Sequence, residues 1–233
     1  MTIAQSADVQ ARQASLGELR RRVADCRRCP IGYTRTQAVC GVGDLHAPLA
    51  VVGEGPGENE DLQGEPFVGR AGELLTKMLG AIGLRRDEAF ITNTIKSRAT
   101  LVENGRTFNR APSPLELANC REYLDAELDI VRPKVILALG APAAKSFLGQ
   151  SFGITRQRGL WFSGPNGADL IVTFHPAYIL RQTGGNMTAV KKLVWADLQA
   201  LRRRLDEHAA REASGEVAGR PAVPGAPELE LGL

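Results

Sequence analysis

LAVVGEGPGENEDLQGEPFVGRAGELL, residues 49–75, is the stretch from which the fold is read. Residues 49–52 form a short apolar run rich in β-branched side chains, followed at once by Gly53-Glu54-Gly55-Pro56-Gly57, an acidic segment, Phe67 and a helical pattern. A buried strand that ends in a glycine-rich bend brings bare backbone against a ligand. The bend is not a phosphate cradle: Glu54, Glu58, Glu60 and Asp61 would repel phosphate. Neither Lys-Ser/Thr after the glycines nor the spacing Gly-x-Gly-x-x-Gly is present, which counts against both nucleotide fingerprints.

Working outward, residues 72–82 carry Leu74, Leu75, Met78, Leu79 and Ile82 at helical spacing, with Gly83 as a stop. Residues 89–95 read as a second strand, 98–114 as a long polar loop, and a helix opening at Ser113 or Pro114 runs to 130. A third strand at 134–139 is almost wholly apolar and so covered on both faces. A helix at 142–148, a small antiparallel piece at 159–162, a fourth strand at 170–174 and a helix at 189–205 complete the series. Upstream, residues 15–24 form a short amphipathic helix bearing Leu16, Leu19 and Val23. Strands alternating with helices imply an α/β fold: a three-layer sandwich around a mostly parallel four-stranded sheet. The expected organisation is a flexible 1–14, one domain over 15–208, and a disordered Gly/Pro/Ala-rich tail over 209–233.

With 233 residues and 43% apolar content, the chain can build one sizeable core. No apolar run spans a membrane and no signal-peptide pattern opens the chain, so a soluble, cytoplasmic protein is expected; a monomer is the expected state. The net charge of +3 is carried mostly by arginines, which permits a nucleic-acid partner without requiring one. The four cysteines are not read as a disulfide framework. Cys26-x-x-Cys29 lets two thiolates reach one metal or cluster; the plainer reading is a pair of ordinary thiols near a helix end. His46 and His208 have no motif around them and are expected in solvent, and Arg156, Arg158, Lys191 and Lys192 read as a basic solvent face.

Ligands of parallel α/β sheets collect at the carboxyl ends of strands, which brings together residues 54–57, Asn93 and His175. An Asn amide offers a donor and an acceptor to the edge of a planar ring, and Phe67 offers a stacking face. His175 can donate to an oxygen that becomes negative, while Glu54 or Glu60 can orient water or stabilise a developing cation. The set suits a flat heterocycle leaving a sugar as an anion. Each residue also has a plain structural reading, Phe67 as core and Asn93 as a turn former.

Residues 53–57, Glu60-Asp61, Gly64-x-Pro66-Phe67-Val68-Gly69-x-Ala71-Gly72, Ile91-Thr92-Asn93 and the run from His175 to Arg181 resemble the family 4 uracil-DNA glycosylases. The resemblance spans roughly residues 16–205. It implies base excision repair: uracil in single- or double-stranded DNA is flipped into a pocket and its N-glycosidic bond hydrolysed, leaving an abasic site. By the same resemblance Gly55, Pro56, Gly57, Phe67 and Asn93 bind uracil, and Glu54, Glu60 and His175 act in catalysis. Ile179, Leu180 and Arg181 resemble the wedge that fills the vacated stack, and Arg106 and Arg110 contact DNA. Cys26, Cys29 and Cys120 match ligands of the family's [4Fe-4S] cluster.

Two departures stand out. Where the family carries Cys after the second strand, this chain has Ser97, within Ile95-Lys96-Ser97-Arg98. Cys40 is taken as the fourth ligand, with Ser97 the rarer alternative, since soft thiolates suit iron–sulfur clusters better than an alkoxide. Residues 98–114 also resemble the insertion of a branch that traps uracil-DNA covalently through a loop histidine, and Asn109 falls at or near that position. Asn cannot be that nucleophile, so turnover is expected rather than a permanent crosslink. The competing functions are a non-catalytic binder of uracil or abasic DNA and the covalent trap itself.

Overall fold

The computed structural model describes residues 3–215. In chain order the helices are α1 (Ile3–Asp25), α2 (Ile31–Thr34), α3 (Glu58–Gln63), α4 (Arg70–Ala81), α5 (Pro114–Val131), α6 (Gly140–Leu148), α7 (Ile154–Gln157), α8 (Pro176–Leu180) and α9 (Gly184–Ser214). The strands are β1 (Val42–Gly43), β2 (Leu49–Gly53), β3 (Phe90–Asn93), β4 (Thr100–Glu103), β5 (Arg106–Asn109), β6 (Val135–Leu139), β7 (Trp161–Ser163) and β8 (Asp169–Thr173). The main sheet runs β1-β3-β2-β6-β8-β7; its four inner strands are parallel, as expected, and the short edge strands β1 and β7 are antiparallel.

The inner strands are buried along their whole length because both faces are covered. Alternate side chains divide between two cores. Leu49, Val51, Leu137 and Ile171 pack with α4 and α9 through Leu75, Leu79, Val194 and Leu198. Ala50, Val52, Ile136 and Val172 pack on the opposite face with α5 and α6 through Leu124, Leu128 and Ala144. The result is the three-layer sandwich. Ser113 caps α5 by accepting from the Glu116 backbone N–H, while the Glu116 carboxylate accepts from that of Ser113.

Five expectations are corrected. Residues 98–114 are not a plain loop: β4 and β5 form a hairpin closed by Asn104 and Gly105, both at positive φ (50° and 72°). The helix expected over 15–24 begins at Ile3, and Arg12 Nη1 anchors its early turns to the carbonyls of Leu45, Ile130 and Val131 at 2.8–2.9 Å. The last helix reaches Ser214, beyond residue 209; residues 216–233, the rest of the expected tail, lie outside the described residues. His208 is not simply solvated, since its Nε2 lies 2.9 Å from the Asp169 carboxylate, which Arg204 also grips. Arg158 likewise is no free basic group but pairs with Asp197 beneath Thr173. Among the described residues no helix is long and apolar enough to cross a membrane.

Candidate active site

The parallel strands end level with one another, Gly53 beside Asn93 and Leu139 beside Thr173. Just beyond these ends opens a cavity of about 850 Å³. Glu54, Gly55, Pro56, Gly57, Glu60, Phe67, Asn93 and His175 all line it, so the convergence inferred from strand order is present.

Asn93 is 2% exposed, yet its side-chain amide has no hydrogen-bond partner among the described residues. A buried amide without a protein partner, lining a cavity, is available to a ligand edge. The residue facing it must be glycine: a Cβ on Gly53 would lie 2.4 Å from Asn93 Oδ1 and 2.5 Å from Phe67 Cζ. Phe67 adopts φ 57°, a region that costs a non-glycine residue about 1–3 kcal/mol and that collects at ligand clamps. Its ring stacks beside that of His175, with centroids 5.7 Å apart.

His175 opens α8, and its Nδ1 accepts the Ala177 backbone N–H at 3.1 Å. Burial, reinforced by the nearby positive Arg181, pushes its pKa down to about 4. The ring is therefore neutral at physiological pH, and with Nδ1 accepting, its proton sits on Nε2 as a donor.

The two glutamates differ. Burial alone raises the pKa of Glu54, whose backbone carbonyl is fixed by the Ile95 N–H at 3.2 Å. Glu60 accepts from the backbone N–H groups of Gly57 (3.1 Å), Val68 (3.0 Å) and Gly69 (3.0 Å), tying the glycine bend to the segment that presents Phe67.

The family model described as the Uracil DNA glycosylase superfamily matches residues 40–199. The chain belongs to this superfamily. It is 41% identical to the Type-4 uracil-DNA glycosylase of Thermotoga maritima over 179 residues, covering 76% of this chain and 88% of that protein. It is likewise 41% identical to the Type-4 uracil-DNA glycosylases of Archaeoglobus fulgidus, covering 71% of this chain and 83% of the relative, and of Sulfurisphaera tokodaii, covering 71% and 76%.

Around the mouth of this superfamily member's cavity, the expected DNA contacts sort unevenly. Ile179 is 3% exposed and packed in the core with Leu139, Phe174 and Val190, whereas Leu180 is 39% exposed and Arg181 stands on the cavity wall. Arg110 is bound by both oxygens of Glu116 and by two backbone carbonyls, which removes it from the free cations, whereas Arg106 is exposed beside the hairpin turn. Asn109 lines the cavity, its Oδ1 accepting from Arg98 Nε at 2.7 Å.

The cysteines of this superfamily member fall into two environments. Cys29 and Cys120 share one small apolar cluster, and Cys26 is close enough for its charge to raise the pKa of both thiols, although burial is the larger cause. Burial raises the Cys26 thiol too, but the Tyr123 hydroxyl and Arg28 draw it below the ordinary thiol range. Cys40 is buried with Phe90 and Tyr123 in a second cluster, against which Cys26 also packs, and burial and the Glu127 charge push its pKa to about 11. Ser97 Oγ accepts from Arg35 Nη1 at 2.8 Å. Among the described residues no group of three or more His, Cys, Asp and Glu side chains is arranged to hold a single metal ion.

Sequence reasoning missed Lys96 and Glu127, a fully buried ion pair at 2.7 Å behind Asn93. The available signal was a lone carboxylate on the inner face of α5, between Leu124 and Leu128, with an isolated lysine just past a strand.

Proposed function

We propose that the chain excises uracil from DNA by hydrolysing its N-glycosidic bond. The observation that carries this reading is the pairing, across one cavity, of an Asn93 amide unpartnered among the described residues with a neutral His175 that presents Nε2–H. The flipped uracil stacks on Phe67, and Asn93 offers its acceptor and donor to the ring's N–H and carbonyl edge. As the bond to the sugar breaks, negative charge grows on the base and His175 Nε2–H donates to it; a neutral donor already in place needs no reorganisation. Glu54, whose pKa burial raises, faces the oxocarbenium-like sugar and orients water. Glu60 acts through the backbone it clamps and holds the base-facing walls in register. Leu180 fills the vacated stack, with Arg181 and Arg106 on the DNA side.

The thiols of Cys26, Cys29 and Cys120 fit three corners of a [4Fe-4S] cluster: all are soft donors, Cys29 and Cys120 share one apolar cluster beside the residues that follow β3, and Cys26 is near enough for its charge to act on both. Ser97 and Cys40 compete for the fourth corner. Held there, such a group would tie the segment between α1 and α2 to α5.

The deciding assay incubates the protein with a uracil-containing oligonucleotide, treats one portion with alkali and runs another in SDS. A shortened strand after alkali, with no retained band in SDS, is expected. A retained band makes the protein a covalent trap, and neither signal overturns both catalytic readings.

A further inference from the structure

We infer that the buried pair Lys96–Glu127 is a positioning device for Asn93, stands in for a missing strand neighbour, and thereby sets how tightly uracil is read. The inference rests on the reading of Asn93 as the residue that meets the base edge.

The argument begins with sheet geometry. Successive backbone groups of a strand point to opposite sides. The Thr94 N–H bonds to the Gly53 carbonyl on the β2 side, so the Asn93 carbonyl points the other way, toward β1. There β1 pairs only with Phe90 and Ile91 and then stops. The Asn93 carbonyl thus lacks a strand partner where the base reader needs to be held, and Lys96 Nζ donates to it at 2.7 Å.

The remaining polar groups close around this contact. Lys96 Nζ also donates to Thr92 Oγ1 at 2.8 Å and to Glu127 Oε2 at 2.7 Å, so each of its three N–H groups has one acceptor. Glu127 Oε2 accepts the Thr92 hydroxyl at 2.6 Å, and Oε1 accepts the Gly41 backbone N–H at 2.7 Å, the group that continues β1. The side chains of Lys96 and Glu127 are 1% and 0% exposed. A buried ion pair adds little stability over apolar residues of the same volume. Its value here lies in direction, because two of the three ammonium contacts fall on Thr92 and Asn93, the last residues of β3. Asn93 Oδ1 packs so close to Gly53 that a Cβ there would lie 2.4 Å from it.

The test is a double-mutant cycle. Lys96→Met with Glu127→Leu removes both charges so that neither is left unpaired, and Thr92→Val is a milder second probe that stays informative if the paired replacement does not fold. Each is combined with Asn93→Ala. Measured are kcat and KM on a uracil oligonucleotide, inhibition by free uracil, and affinity for DNA bearing a tetrahydrofuran abasic analogue, which has no base to read. In the Asn93 background, kcat/KM and uracil affinity should fall by on the order of tenfold or more, as a misplacement below 1 Å would produce. Affinity for abasic-analogue DNA should stay within about twofold, and in the Asn93→Ala background the same changes should cost almost nothing further. Equal losses for uracil and abasic-analogue DNA, or losses that add to Asn93→Ala, would make the pair an ordinary structural anchor and overturn the inference alone. Wild-type protein that neither excises nor binds uracil would overturn the functional reading and this inference with it.

Discussion

Replacing His175 with Asn tests whether the site depends on a neutral imidazole. The Asn Oδ1 retains an acceptor for the Ala177 N–H, which the structure places 3.1 Å from Nδ1, so the start of α8 is kept while the titrating ring is lost. In the wild-type protein the His175 pKa is pushed down to about 4, against an unfolded value of about 6.5. Below the unfolded value the unfolded chain binds the proton and the folded one does not, so stability falls as pH drops from about 6.5 toward 4. Between pH 7.5 and 4.5 this single group removes at most about 2–3 kcal/mol, less to the extent that cavity water reaches the ring. Urea denaturation of both proteins at the two pH values isolates the contribution, because the carboxylates titrate in both. The wild-type protein should lose more stability than His175→Asn by that amount. Loss of the donor should also lower kcat by about 10²–10³-fold. The wild-type rate should show no step attributable to imidazolium between about pH 5 and 8. A rate that falls as pH rises through about 6.5, or an identical pH dependence of stability in the two proteins, would refute the neutral-donor argument.

Gly53→Ala would put a Cβ 2.4 Å from Asn93 Oδ1 and 2.5 Å from Phe67 Cζ, so uracil excision should fall by about 10²-fold with a stability loss of about 1–3 kcal/mol, read by steady-state kinetics and melting. Asn109→His should convert turnover into an SDS-stable complex with uracil-DNA, since residue 109 lines the cavity; its absence would count against the loop correspondence. Leu180→Ala should reduce excision from duplex more than from single-stranded substrate with stability nearly unchanged, whereas Ile179→Ala should cost about 2–5 kcal/mol of folding stability, seen in urea titrations of the two variants. Raising salt should weaken substrate binding steeply if Arg106 and Arg181 meet phosphates, and Arg106→Gln should flatten that slope.

The inner sheet was legible because four short, nearly continuous apolar runs each end in a turn signal, and burial on both faces leaves such runs no polar alternation. Asn93 and His175 followed from strand order, because parallel strands deliver their carboxyl ends to one place. Edge strands of two and three residues carry too little periodicity to be read, although a small piece was anticipated near β7. The β4–β5 hairpin was missed despite its Asn104-Gly105, the pair that supplies two successive positive-φ residues for a tight turn, because the polar composition of 98–114 outweighed that signal. The clamp formed by Glu60 and the burial of Ile179 were hidden for another reason. A carboxylate in a cavity and one aimed at backbone N–H groups look alike in sequence, and a wedge motif does not say which of two adjacent apolar residues faces inward.

The level ends of β2, β3, β6 and β8 bear on how activity arises during folding. Glu54, Asn93 and His175 become neighbours only through parallel pairings such as Val51 with Ile91, Val51 with Leu137 and Leu137 with Ile171, each of which closes a chain loop of dozens of residues. Contacts of such long sequence separation form late and cooperatively. Base-reading capacity should therefore emerge in the same kinetic phase as the complete sheet, and a nascent chain that has not yet made β8 holds a glycine bend and an asparagine but no means of cutting a base from DNA.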